Sequence, residues 1–173
     1  MAIAGVKKRR NIANYLNTAS GETSAVYSLM GIGFTELNEQ PSAQTKSKRY
    51  INMASASQSV TGYEPSWPFT ADQIRSESAL NLICEIGELR KTGADAETDM
   101  VIVDFDKPVS ESENTFTARR QKVAIAVSSF GDEDGEMTCE GDLLGIGDVE
   151  TGTFNTQSKT FTSTTTSKAT TNS

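Results

Sequence analysis

Helical periodicity occurs in one stretch of this 173-residue chain. Ala79, Leu82, Ile83, Ile86 and Leu89 or Arg90 recur at the 3.6-residue spacing that places them on one face. The spacing predicts a helix over 76–91, capped by Ser76 or Ser78 and ended by Lys91 and Gly93, a cation followed by a glycine free to adopt positive φ. Everything after Gly93 reads as strand. Met100-Val101-Ile102-Val103-Asp104-Phe105 is apolar on both faces, as a central strand covered on both sides would be. Residues 122–130 alternate, with Val123, Ile125 and Val127 on one face and Ala124, Ala126 and Ser128 on the other. The small-residue face is where the helix is expected to lie. Gly131-Asp132-Glu133-Asp134-Gly135 reads as a hairpin turn leading to Met137-Thr138-Cys139-Glu140. The chain then turns through Gly145 and Gly147 toward Gly152-Thr153-Phe154, and Thr160-Phe161-Thr162 is expected to pair back across 155–158. The class is mainly β with one flanking helix.

The first half is less regular. Residues 1–20 form a basic N-terminal arm, Lys7-Lys8-Arg9-Arg10 preceding Ile12, Tyr15 and Leu16, and read as a loosely structured lead-in with at most one amphipathic turn. Val26, Tyr27, Leu29 and Met30 suggest a strand ending in the bend Gly31-Ile32-Gly33-Phe34. Residues 36–57 are almost devoid of apolar side chains before Tyr50, Ile51 and Met53, and so long a connection calls for a functional explanation. Residues 54–63 have strand-like composition, and the prolines of Pro65-Ser66-Trp67-Pro68-Phe69 point to a sheet edge or a loop. Beyond Thr162 the chain is nearly all Ser and Thr, so residues 163–173 are expected to form a solvated tail outside a domain of 1–162.

Composition removes whole classes of chemistry. The chain has no histidine, which excludes Ser-His-Asp and Cys-His nucleophiles and every histidine metal site. A net charge of −7 argues against general affinity for nucleic acid. No segment approaches the ~18 apolar residues of a membrane helix. No apolar run of a secretory signal follows the basic cluster, and no membrane partner is expected. Cys84 and Cys139 have no CxxC spacing and read as small buried hydrophobes in a reducing compartment.

The remaining candidate sites fail individually. Placing Gly135 at the sixth position of a calcium loop puts Phe130 first and Gly141 twelfth, and neither position then ligates. Gly31-Ile32-Gly33 and Gly145-Ile146-Gly147 lack a third glycine and open no helix. Asp104 and Asp106 share a strand face, yet beside Lys107-Pro108 they read as exposed rather than as an acid–base pair. Trp67 reads as a packing anchor, with a carbohydrate-stacking platform as the alternative. No catalytic residue, metal or cofactor is assigned.

The order of several segments is nonetheless informative. Gly31-Ile32-Gly33-Phe34-Thr35, the run from Asn38 to Thr45, Lys48-Arg49-Tyr50-Ile51, Thr92-Gly93-Ala94-Asp95-Ala96-Glu97 and the run from Gly152 to Thr162 together resemble the major tail tube proteins of long-tailed bacteriophages and related tail-like particles. The resemblance implies a two-sheet, barrel-like β-sandwich with one flanking helix and a long inter-strand loop. It also implies hexameric rings stacked into a tube through which DNA passes without specific binding. Expected partners are further copies of the chain, a tape-measure protein, a tail terminator and distal tail or baseplate proteins. The expected location is the virion tail, with the bacterial host cytoplasm during assembly. Candidate inter-subunit residues are Glu36, Glu39, Gln40, Pro41, Lys46, Lys48, Arg49 and Tyr50 in the long loop. Lys7, Lys8, Arg9 and Arg10 are candidates at the N-terminus. The rival reading is a non-viral ligand- or carbohydrate-binding β-sandwich using Trp67.

Overall fold

The computed structural model describes residues 5–19 and 24–164. Ten strands and one helix follow in the order β1 (Ile12–Asn17), β2 (Tyr27–Leu29), β3 (Phe34–Leu37), β4 (Ala43–Lys48), β5 (Ser57–Tyr63), β6 (Ser66–Asp72), α1 (Ser78–Glu88), β7 (Glu97–Pro108), β8 (Thr115–Glu133), β9 (Glu136–Asn155) and β10 (Thr160–Ser163). Eight of the strands form one antiparallel sheet ordered β2-β1-β7-β8-β9-β6-β3, with β10 also paired to β9. The other two, β4 and β5, form a separate two-stranded sheet. The two ends of that strand order are β2 and β3, which are consecutive in the chain and joined only by residues 30–33. So short a link forces the sheet to curl until its edges approach. The Arg9 guanidinium, just before β1, reaches the Leu37 carbonyl at the end of β3 (3.3 Å).

The curled sheet buries apolar residues on both faces of its centre. Met100 and Ile102 of β7 join the main core with Leu16, Trp67, Phe69, Ile83, Ile86, Val123, Ile125 and Leu143. Val101 and Val103 point the other way, into a second cluster with Tyr15, Tyr27, Ala118 and Phe154. The doubly apolar run from Met100 to Val103 is therefore a central strand, as its pattern requires.

Helix α1 lies on the opposite face from the one expected. It packs against Val123, Ile125 and Val127, and the alanines at 124 and 126 face outward. Burial of branched side chains outweighs closeness of approach. The close approach comes instead from Gly87, where a Cβ would stand 2.8 Å from Phe130 and 2.9 Å from Val127. The buried stripe is Ala79, Leu80, Ile83, Cys84 and Ile86, while Leu89 is 64% exposed. No serine side chain caps the helix; Arg90 (φ 52°) takes the left-handed position directly after it, and Gly93 (φ 60°) takes the positive φ expected of it three residues further on.

Five other segments depart from the sequence reading. Residues 12–17, expected in a loose lead-in, are a strand between β2 and β7, because Ala13, Tyr15 and Leu16 supply buried groups to both cores. Residues 36–57 are not an irregular loop but run from β3 through β4 to the start of β5. The prolines near Trp67 do not confine β6 to an edge. Ser66 exchanges backbone bonds with Gln40 and the Pro68 carbonyl accepts from Asn38, so the missing N–H of Pro68 falls on the short β3 side and spares the β9 ladder. Finally, β9 runs unbroken through Gly145 and Gly147, absorbing 147–149 as a bulge opposite Gln121. The chain after Thr162 continues the β10 pairing to Ser163, and Thr164 N–H reaches the Thr151 carbonyl (3.0 Å). The rest of the expected tail lies outside the described residues.

Candidate assembly surfaces

The sequence candidates at 36–50 fall into two groups. Glu36, Glu39, Gln40 and Pro41 belong to the root of a hairpin arm, and Lys46, Lys48, Arg49 and Tyr50 to the arm itself. At the root Glu39 receives both guanidinium nitrogens of Arg119 (2.8 and 2.9 Å), and this pairing raises the Arg119 pKa against the opposing effect of burial. Gln40 bridges Ser66, and the Glu64 N–H donates to the Ser42 carbonyl (3.1 Å), which draws the two ends of the arm together. Beside them a cavity of about 360 Å³ is lined by Pro41, Tyr63, Pro65, Trp67 and Val149 among others. The Gln121 amide closes its floor by donating to the Ile146 (2.8 Å) and Gly147 (3.1 Å) carbonyls that the bulge leaves out of the ladder.

The arm is β4 paired to β5, from Ala43 opposite Tyr63 to Lys48 opposite Ser57. Every residue of β4 is exposed, and of β5 only Gly62 is even half-buried. Lys48 Nζ stands 4.8 Å from the centre of the Tyr50 ring, and Arg49 donates to the Met53 carbonyl (3.1 Å). Val60, Tyr63, Ile51 and Met53 are exposed members of the same arm that were not among the candidates. Their signal was available in the lone apolar residues of an otherwise polar segment.

The N-terminal cations separate in the same way. Lys7 pairs with Asp104, and Arg9 donates to Ile12 and Leu37 carbonyls and to Asn14 Oδ1. These two hold their own chain together, while Lys8 and Arg10 are exposed. Asp104 is half-buried rather than exposed, and burial alone would raise its pKa. The Lys7 ammonium, the Asp106 N–H and Lys107 outweigh that and hold it below its ordinary 3.8. Asp106 accepts from the Asn11 amide (2.8 Å). Both carboxylates thus serve as anchors for the N-terminal segment.

Other predicted residues are packing groups. Trp67 is 3% exposed, which makes it the packing anchor of the sequence reading rather than an exposed stacking platform. Cys84 and Cys139 are buried, and burial, followed by the neighbouring Cys84, pushes the Cys139 thiol up to about 12. Sequence reasoning missed Arg120, which donates to Glu150 (2.9 Å) and lies 4.8 Å from the centre of the Phe161 ring, fastening β10 over the second core. Among the described residues no three potential metal-ligating side chains converge, and no helix is long and apolar enough to cross a membrane.

The outward face of β7, β8 and β9 gathers acids. Glu97 of β7 opposes Ala124, Asp99 opposes Lys122, Asp142 of β9 opposes Ala126 and Glu140 opposes Ser129, with Lys122 paired to Glu97 (2.6 Å). No family model matches this sequence, and no curated protein does. A solved chain from the tail of an empty GTA particle, computed with helical refinement and C6 symmetry, superposes with a TM-score of 0.54 at 8% identity, over 83% of this chain and 97% of that one. The two chains share a fold. A chain in the six-fold symmetrised baseplate of the anti-feeding prophage (AFP) gives a weaker likeness, with a TM-score of 0.47 at 9% identity over 87% of this chain and 97% of that one.

Proposed function

We propose that this chain is a structural protein of a phage tail or tail-like particle, which self-assembles into stacked hexameric rings forming a tube for DNA. The observation that carries the reading is the β4–β5 arm. A lone two-stranded hairpin is marginal in water. Ordering its backbone costs ~1–2 kcal/mol per residue, and this arm buries almost nothing against its own body to offset that. Its two free edges and exposed faces suit pairing with, or covering by, another chain. A second copy is the natural partner, and the fold likeness to a tail chain determined with C6 symmetry supports six per ring.

In such a tube the acidic outward face of Glu97, Asp99, Glu140 and Asp142 would line the lumen, repelling phosphate so that DNA slides without sticking. The further partners are those the family resemblance implies, namely a tape-measure protein, a tail terminator and distal tail or baseplate proteins. Its place is the virion tail, reached after assembly in the host cytoplasm. As a structural protein it would carry neither cofactor nor catalytic site, and Asp104 and Asp106 are engaged by Lys7 and Asn11.

Electron microscopy of the concentrated, purified chain tests the proposal directly, with tubes expected. The contact between Ser42 and Glu64 allows residues 43–63 to be replaced by a short glycine linker. That variant should fold and remain without tubes. Tubes of normal length from it would defeat the assignment of the arm.

A further inference from the structure

Two parts of the molecule project beyond the packed sheet, and their charges are opposite. The arm carries Lys46, Lys48 and Arg49 and no acidic residue between Ala43 and Tyr63, in a chain with 23 acids to 16 cations. No carboxylate among the described residues pairs with any of the three. Its tip also exposes Tyr50, Ile51 and Met53, the last donating its N–H to the Tyr50 carbonyl (3.1 Å).

The far end of the β8–β9 hairpin has the complementary character. Asp132, Glu133, Asp134 and Glu136 are exposed and, among the described residues, unpaired with any cation. Phe130 opposes Cys139 and Asp132 opposes Met137, which puts Phe130 and Met137 on one face of the hairpin, the face toward α1. Both are exposed (37% and 51%), as is Leu89 at the end of the helix that Phe130 touches through Gly87.

Strand register sets these two regions apart. Asp72 of β6 opposes Thr138 and Ser66 opposes Leu144, so the arm leaves the body at the Leu144 end of β9. The acidic turn lies about ten residues back along β9, a separation of ~33 Å. The arm, with six residues in β4 and seven in β5, is shorter than that separation and leaves the body at the end far from the turn.

We propose that the basic, apolar arm tip docks on the acidic, apolar end of the β8–β9 hairpin of a second copy. This rests on the reading of the chain as a self-assembling tail protein and names the surface that receives the arm. Copies of net charge −7 repel one another, and the arm is the place where that repulsion reverses. Charge steers and orients the encounter, and Tyr50, Ile51, Phe130, Met137 and Leu89 supply the desolvated centre. Because donor and receiver sit at opposite ends, the contact is head-to-tail and repeats along an axis instead of closing as a dimer.

Two variants of the full chain test this, K46E/K48E/R49E and D132K/E133K/D134K/E136K, each checked for folding by thermal melting. Alone, neither should assemble by light scattering or electron microscopy. Mixed in equal amounts they should co-assemble, since reversed arms then meet reversed hairpins. Wild-type assembly should weaken as salt rises. Assembly of either variant alone at the wild-type level, or no rescue on mixing, overturns the assignment while leaving the tail-protein reading in place. A wild-type chain that stays monomeric at low salt and high concentration overturns both. Duplex DNA binding to the arm that K46E/K48E/R49E abolishes while assembly persists also overturns the assignment. Should a charge-reversed chain fail to fold, Ile51→Gln and Met137→Gln replace it. Each is expected to weaken association ~tenfold, and unchanged association in either overturns the proposal.

Discussion

Asp104 shows how a residue that resembles a catalytic carboxylate can be structural. Its pKa is held below 3.8 by Lys7, the Asp106 N–H and Lys107 against the pull of burial. A carboxyl lowered on folding contributes stability that is complete above its unfolded value and lost as pH falls through the folded one. Asp104→Asn should therefore be less stable than wild type at neutral pH. Its urea midpoint should also fall less steeply below about pH 5. Parallel pH curves for the two proteins would disprove the latch. Cys139 gives the opposite case, an acid whose ionised form is disfavoured by burial, with a thiol near pKa 12. At pH 8 iodoacetamide should leave both cysteines unmodified in the native protein and modify them in denaturant. Rapid native labelling would mean that α1 opens readily from β9.

At the scale of elements, legibility followed the hydrophobic pattern and failed where tertiary context overrode it. Met100 to Val103 could be read as a central strand because four successive apolar residues admit little else. β1 was hidden behind Lys7–Arg10 and by buried Asn14, which interrupts its apolar run. The arm was legible as an anomaly but not as a hairpin, since period-two alternation reports one buried face and the arm buries neither. Of its candidate residues, the root set could not be told from the projecting set without knowing that Gln40 bridges Ser66. The seat of α1 was misjudged because closeness was assigned to sheet alanines when Gly87 provides it from the helix. Ile83→Ala and Ile125→Ala should each cost ~2–5 kcal/mol, measured by urea unfolding. Ala126→Ser, on the open face, should stay within ~0.5 kcal/mol. Equal losses at 125 and 126 would put the helix back on the small-residue face.

Across the whole molecule, stability is distributed unevenly, and that unevenness is itself testable. The curled sheet has β7 paired on both sides and buried on both faces, so its amides should exchange only on global unfolding. The arm has one ladder, two open edges and no apolar body beneath it, so its amides should exchange through local opening at a small fraction of the global free energy. A single domain that held such an appendage for its own sake would lose ordering entropy without compensation. An assembly changes the balance, because pairing or covering by a neighbour desolvates the ladder and closes the opening route. Hydrogen exchange at low concentration should thus show 43–63 fast and 100–103 slow. After assembly the arm should slow by orders of magnitude while 100–103 changes little, because that strand already opens only with the whole fold. An arm equally protected in the monomer would mean that it rests on its own chain. An arm still fast inside finished tubes would mean that the contacts holding the copies together lie elsewhere on the molecule.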